Sequence, residues 1–216
     1  KVEYVPDTWA GGTAPDFDSL VMELYGRGQK YPFQGVYSDW NFRMEDGGIA
    51  RFDFPLMGFA GDPVDAALPS ITYVDQDPPK AESIALVLGA FTGGKFREVS
   101  LSGGRDVSPR GIHGWAPGYR TPTLEILMEA TALASSSPYH TVSTFNPYKL
   151  RALKTALAVS FQVGTEQYNR MKATLGAVQI REVREEEDGG VALWRLVCKV
   201  AQTTPTAGDD LTITFD

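Results

Sequence analysis

The chain has little of the chemistry on which most enzymes depend. Its 216 residues include one cysteine, Cys198, and two histidines, His113 and His140. A lone cysteine excludes an internal disulfide, and neither histidine has a cysteine or carboxylate at zinc-ligand spacing. The nucleophile-elbow, P-loop and dinucleotide-binding glycine motifs are missing as well. We therefore expect no catalytic residues, no cofactor and no metal ion, and predict that the protein is not an enzyme.

Long apolar runs and an excess of positive charge are also missing. No stretch approaches the ~18 apolar residues that span a bilayer, and no charged-then-apolar leader stands at the amino end, so we expect no membrane partner. The net charge of −7 and pI near 4.9 argue against a surface that holds nucleic acid by neutralising phosphates. A negative net charge is compatible with a protein past which nucleic acid moves without binding, because many contacts to phosphates would hold the nucleic acid in place. Cys198 lies in the apolar run VALWRLVCKV, which favours a core position, and a single cysteine fits a reducing cytoplasm.

What the sequence does have is alternation of apolar and polar residues with a period of two. Between 96 and 131 it reads FREVSLSGGRDVSPRGIHGWAPGYRTPTLEILMEAT, with alternating runs at both ends. Each run predicts a strand with one buried and one polar face. The segment 103–121 between them is far longer than the ~2–5 residues of a simple hairpin loop and is rich in glycine and proline. We interpret it as a long irregular interaction loop.

The rest of the chain predicts further hairpins within a single domain, 1–216. An Asp-Gly-Gly turn at 46–48 joins alternating runs on either side of it, within 40–56, and another turn is expected at 185–190. An N-terminal arm, 1–18, and a connector, 60–83, are rich in turn-forming residues. The prediction is a mainly β (α+β) fold of two packed antiparallel sheets, a β-sandwich or partly open barrel.

One helix is expected at the flank of these sheets. Asn146 offers an N-cap, and Pro147 takes the first helical position, where proline is favoured. Leu150, Leu153 and Leu157 share one stripe at helical spacing. The pattern predicts a helix of about twelve residues, ~18 Å long.

Several segments, taken in order, resemble the tail tube proteins of long-tailed bacteriophages. They are GVYSDWNFRMEDGGIARFDFPLMGFAGDP, SGGRDVSPR followed by GYR, FNPYKLRALKTALAVSFQVGTEQYNRMKATLGAVQI, DGGVALWRL and DDLTITF, and they span roughly Val36 to Phe215. The resemblance implies a tail-tube-type sandwich that forms homohexameric rings, stacked into a tube through which phage DNA passes without specific binding. It also implies tape measure and tail terminator proteins as partners, and a place in the virion tail after assembly in the host cytoplasm.

The resemblance also implies roles for particular residues. The strand pairs 40–56 and 97–129 are similar to the family's inner sheet, and the segment 103–120 is similar to its neighbour-gripping segment. The expected channel-lining residues are Glu98, Ser100, Thr123, Glu125 and Glu129. The expected inter-subunit contacts are Arg105, Asp106, Arg110, Trp115, Tyr119 and Arg120. Leu127 lies on the expected wet face, which predicts either a bulge or a subunit contact there.

Two other interpretations remain open from the sequence. A distal tail or baseplate hub ring protein, or the tube subunit of a contractile secretion machine, would share the sandwich. A carbohydrate-binding β-sandwich would instead use aromatic side chains as platforms for sugar rings. The candidates for those platforms are Trp9, Trp115, Tyr119 and Tyr139.

Overall fold

The computed structural model describes the backbone of residues 2–4, 20–70, 85–109, 115–131, 144–164, 170–201 and 210–215, and their side chains except at 2–4, 109 and 115–119. The described strands pair in antiparallel fashion. Their bounds in chain order are β1 Val2–Tyr4, β2 Leu20–Gly26, β3 Gln29–Ser38, β4 Asn41–Glu45, β5 Arg51–Asp53, β6 Leu56–Ala60, β7 Val64–Asp65, β8 Ala85–Leu88, β9 Phe96–Ser102, β10 Arg105–Pro109, β11 Trp115–Arg120, β12 Thr123–Glu129, β13 Leu157–Val163, β14 Met171–Asp188, β15 Val191–Ala201 and β16 Leu211–Phe215.

Ten of these strands form one large sheet. Its order is β1-β16-β14-β15-β12-β9-β4-β5, with β13 paired to β14 and β8 paired to β13. β14 is long enough to belong to both halves of the sheet. It pairs with β13 over Met171–Val178, with β16 over Met171–Leu175 and with β15 from Ala177 onward. A register shift between Ile180 and Glu182 marks the passage from one half to the other, as expected where a bulge bends a strand. The large sheet curls into a half-barrel.

The core lies between the two halves of the curled sheet. Phe42 on β4 stacks on Phe161 of β13, with ring centroids 5.6 Å apart. A second contact joins Phe52 on β5 to Phe215 on β16 at 6.0 Å. Val99, Leu101, Leu124, Ile126 and Met128, the inward residues of β9 and β12, have no exposed surface. Burial of these side chains, at about 1.5–3 kcal/mol each, is the main favourable term in folding. The predicted mainly β class with packed antiparallel sheets and one flanking helix is confirmed.

Two smaller sheets lie outside the large one. β2, β3, β6 and β7 form a four-stranded sheet, which we call the apolar sheet, with β3 in its centre. β10 and β11 form a two-stranded ribbon, which we call the ribbon. The ribbon corrects the prediction of an irregular loop over 103–121. The apolar sheet corrects two others, because Leu56 begins β6 instead of continuing β5, and β7 lies within the predicted connector 60–83.

The helix α1, Pro147–Ala152, is half as long as predicted. Its start is confirmed, since Asn146 Oδ1 accepts a hydrogen bond from the Lys149 amide at 3.1 Å and Pro147 occupies the first turn. Its end is earlier because Lys154 adopts a left-handed φ of 52°, which terminates the helix. Leu150 is buried, whereas Leu153 is 56% exposed and Leu157 belongs to β13. The predicted apolar stripe of three leucines is therefore wrong.

Cys198 occupies the core position that the sequence predicted, with 2% of its surface exposed. Burial raises the pKa of its thiol to about 12, with a smaller contribution from Glu125. We expect native protein at neutral pH to resist a maleimide reagent that labels it fully in denaturant, because the thiolate is the reactive form. The raised pKa stabilises the fold fully below pH 9, and this contribution is lost as the pH rises toward 12. Rapid labelling of native protein at pH 7 would contradict the assignment.

Candidate functional site

The side of the large sheet opposite the core carries all the residues that were expected to line a channel. We call this side, on β4, β9, β12, β15 and β14 beyond Ile180, the outer face. On β9 and β12 buried residues alternate with accessible ones. The register places Glu125 opposite Ser100, and Thr123 opposite Ser102. The structure therefore brings Glu98, Ser100, Thr123, Glu125 and Glu129 onto one surface.

The bulge predicted as one explanation for Leu127 is present. Leu127 pairs with Glu98 and Met128 with Phe96, so Arg97 is an extra residue on β9. The extra residue restores Phe96 to the core and leaves Leu127 partly exposed on the outer face. Leu127 also lies opposite Arg195 of β15, within the charged part of this surface.

Neighbouring strands bring cations to these carboxylates. Arg43 on β4 places Nε 3.0 Å from Glu98 Oε1 and Nη2 2.8 Å from Glu45 Oε1. Arg195 on β15 holds Glu186 with two bonds, Nε to Oε1 at 2.6 Å and Nη2 to Oε2 at 3.2 Å. Its Nη1 lies 3.7 Å from Glu98 and 4.0 Å from Glu125. Glu98 therefore lies between two guanidinium groups, with only 18% of its side chain exposed.

The same pairing continues at both ends of the outer face. Arg97 Nη2 lies 2.6 Å from Glu129 Oε1, and Arg184 binds both carboxylate oxygens of Glu182 at 2.8 and 2.9 Å. Charged residues of the outer face include the carboxylates Glu45, Glu98, Glu125, Glu129, Glu182 and Glu186 and the cations Arg43, Arg97, Arg184, Arg195 and Lys199. The residues expected to line the channel are only serine, threonine and glutamate, but the arginines beside them make this polar surface nearly balanced in charge.

Ion pairing shifts the titration of this surface. The hydrogen bonds from Arg195 lower the pKa of Glu186, and those from Arg184 lower the pKa of Glu182. A carboxyl with a lowered folded-state pKa stabilises the fold above its ordinary value of 4.5, and that contribution is lost as the pH falls below it. Glu182 is exposed and Glu186 partly exposed, so solvent screens these pairs and each contributes little to stability. Their main effect is to keep the arginines occupied at neutral pH.

The sequence reasoning missed the arginines of the outer face. Arg43 alternates with Phe42 and Met44, and Arg195 with Trp194 and Leu196, so parity alone assigns both to polar faces. What parity does not give is the strand order. Only the placement of β4 beside β9 and of β15 beside β12 shows that these arginines meet the predicted glutamates.

The ribbon contains the expected inter-subunit residues in different situations. Asp106 is exposed and Arg105 is partly buried on β10. Trp115 and Tyr119 lie on β11, but their side chains are outside the described part, as is Arg110 altogether. For Arg105, Asp106, Arg110, Trp115 and Tyr119, contact with a neighbouring subunit therefore stays a prediction.

Arg120 was expected to contact a neighbouring subunit, but its side chain is buried within the chain, which corrects that expectation. Its guanidinium forms an ion pair with Asp210, just before β16, and only 9% and 6% of the two side chains are exposed. The pair fastens the base of the ribbon to the other half of the large sheet. Arg120 Nη1 and Asp210 Oδ1 are buried without a hydrogen-bond partner among the described residues. The carboxylate and guanidinium therefore depend strongly on each other.

A cleft of about 720 Å³ lies beside the β14–β15 turn. It is lined by Tyr148, Trp194 and the acidic run at Glu185–Glu187, and the Tyr148 hydroxyl donates to Glu185. Trp194 is only 5% exposed, so its ring is not available as a sugar platform. Of the aromatic residues proposed for carbohydrate binding, Trp9 and Tyr139 lie outside the described residues.

Within the described ranges, no group of three or more histidine, cysteine or acidic side chains is placed to hold a metal ion. In the same part of the chain, no helix has the length and apolarity needed to traverse a lipid bilayer. Compared with models of known protein families, the chain matches none. A comparison with curated proteins also gives no match.

Proposed function

We propose that this chain is the structural subunit of a phage tail tube. In this proposal, copies form hexameric rings that stack into a tube, and the outer face of the large sheet lines the channel for the genome. The observation that carries the proposal is the outer face itself, a broad polar surface whose arginines are held by carboxylates at 2.6 to 3.0 Å. The number six and the virion tail as location come from the family resemblance.

The charge balance suits a wall along which DNA moves. A cation that neutralises a phosphate releases condensed counterions, and 6–10 such contacts bind DNA strongly and with steep salt dependence. Arg43 and Arg195 already have carboxylate partners, so a phosphate would have to displace those partners. The wall therefore neither binds the backbone nor presents a large net negative potential against it.

The unpaired edge of the large sheet at β5 supports self-association. β5 ends the sheet on one side and pairs only with β4 among the described strands. Joining such edges around a ring removes the exposed backbone groups of an edge strand. Tape measure and tail terminator proteins remain proposed partners, which would act at the inside and the end of the tube.

The proposal is tested by negative-stain electron microscopy and sedimentation velocity of the purified chain over a concentration series. We expect rings at intermediate concentration and stacked tubes at high concentration. Rings that never stack would favour a distal tail or baseplate hub protein. A monomer at every concentration, with binding on a glycan array, would favour a carbohydrate-binding module and overturn the proposal.

Freeing the arginines of the outer face should make it bind DNA. In the variant with Glu98→Gln and Glu186→Gln, Arg195 loses its two nearest carboxylates, so we expect stronger DNA binding at low salt. Each new phosphate contact should steepen the dependence of log K on log salt by about 0.9. Filter binding of duplex DNA to assembled protein measures both quantities.

The matched control changes the net charge equally without freeing outer-face arginines. Asp65→Asn with Glu187→Gln removes two carboxylates, one in the apolar sheet and one on the opposite side of β14 from Glu186. We expect this control to bind DNA much more weakly than the test variant. Equal binding by the two variants would show that net charge, and not pairing on the outer face, controls DNA contact.

A further inference from the structure

The apolar sheet presents large hydrophobic side chains that no described residue covers. Leu20 and Val21 on β2 are 61% and 74% exposed, and Leu24 is 50% exposed. On the other strands of this sheet the exposed residues are Leu56, Met57, Phe59 and Val64. Scattered single apolar residues are normal on a protein surface, but a large exposed apolar patch marks a binding surface.

One side of the apolar sheet forms a groove without any charged residue. The groove has a volume of about 440 Å³ and is lined by Met22, Leu24, Phe33, Val36, Leu56, Met57 and Gly58. The charged residues of β2 and β3 lie on the opposite side, where Lys30 Nζ bonds Glu23 Oε1 at 2.9 Å. The charged side chains of β2 and β3 thus lie away from the groove, which is suited to another protein surface.

The exposed area on the groove side is that of a functional surface patch. Half-exposed side chains of this type each leave on the order of 100 Å² uncovered, because a fully buried aromatic residue covers about 150–250 Å². Leu24, Leu56 and Met57 line the groove, and Leu20 lies on the same side of β2 as Met22 and Leu24. Together these four leave on the order of 400 Å² uncovered, within the ~300–600 Å² of the largest patch on a typical monomer, which is often functional.

The apolar sheet adjoins the edge of the large sheet at which a second copy of the chain would stand. β3 ends at Ser38, just before β4, and β6 begins at Leu56, just after β5. The apolar sheet is therefore continuous with the β4–β5 hairpin, which ends the large sheet and is the edge at which the next copy in a ring would stand. A copy placed at this edge lies next to the apolar sheet.

We infer that the apolar sheet is the lateral contact between copies of this chain within one ring. The inference rests on the proposed function and adds to it the surface that joins neighbouring subunits. Contacts along the tube axis, between rings, are then left to other parts of the chain, including the ribbon.

The test places a charge in the groove. Leu24→Asp should raise the concentration at which rings form by about 30-fold or more, as loss of a central interface residue does. Leu20→Asp, at a second exposed position of β2, should have the same effect. The matched control is Leu153→Asp, which makes the same substitution at a position 56% exposed beyond the end of α1. Sedimentation velocity and electron microscopy give the assembly state, and circular dichroism with thermal unfolding confirms that each variant is folded.

The outcomes separate this inference from the proposed function. Folded monomers of both β2 variants, with rings or tubes from wild type and Leu153→Asp, support the lateral contact. Isolated rings of the β2 variants that fail to stack would overturn it in favour of an axial contact, and normal tubes would overturn it altogether. If the wild type forms neither rings nor tubes, the proposed function itself fails.

Discussion

Replacing Asp210 by alanine is expected to lower the free energy of unfolding by about 3–5 kcal/mol, because it leaves the buried Arg120 guanidinium without its counter-charge. Both side chains of the pair are more than nine-tenths buried, and Arg120 Nη1 has no other described partner. For a chain of this length the loss corresponds to a fall in melting temperature of roughly 10 °C. Chemical denaturation followed by circular dichroism measures it.

Two comparisons identify the cause of this loss. The double variant Arg120→Met with Asp210→Leu removes both charges, so it should recover most of the stability. Glu182→Ala breaks the exposed pair with Arg184 and should change stability little, because solvent screens it. A cost below about 1 kcal/mol for Asp210→Ala would show that the pair does not hold the ribbon to the sheet.

Gly104→Ala is expected to be the most damaging single methyl addition in the described part of the chain. Gly104 leaves the large sheet for the ribbon with φ at 63°, and its carbonyl accepts from the Thr121 amide at 2.9 Å. A Cβ at this position would overlap the backbone carbonyl of Thr121. The left-handed conformation costs alanine about 1–2 kcal/mol, and overlap with a fixed backbone adds about 1–3 kcal/mol.

Gly189→Ala provides the control for backbone conformation alone. Gly189 has a similar φ of 57° in the β14–β15 turn, and a Cβ there meets nothing within 4 Å. It should therefore show only the smaller conformational cost. We also expect Gly104→Ala to increase proteolytic cleavage within the ribbon, since the base of the ribbon no longer closes. Equal losses for the two variants, with no new cleavage, would contradict the tight contact with Thr121.

Local patterns predicted the parts of the fold that depend on neighbouring residues. Alternation identified the core faces of β9 and β12, and the Asn146-Pro147 pair identified the start of α1. The end of α1 was missed because tertiary pairing places Leu157 in β13, where its burial outweighs the helical stripe. The pairing of β10 with β11 was missed because the glycines and prolines of this segment are typical of loops.

The sequence predicted the glutamates of the candidate site but not the arginines that pair with them. The glutamates of the outer face follow from parity within one strand, but the arginines that neutralise them come from strands distant in sequence. Leu20, Met22 and Leu24 alternate with other residues along β2, a pattern that indicates a strand but does not tell whether its apolar side is covered. In the structure that side faces no described partner, so hydrophobic pattern alone does not distinguish a core position from an exposed groove.

The most direct test of the central claim is an electron cryomicroscopy reconstruction of the assembled chain at a resolution that separates strands. We predict stacked rings in which the outer face, with Glu98, Glu125 and Arg195, borders the central channel. An assembly in which this face lies on the outside or is buried between rings would contradict the account.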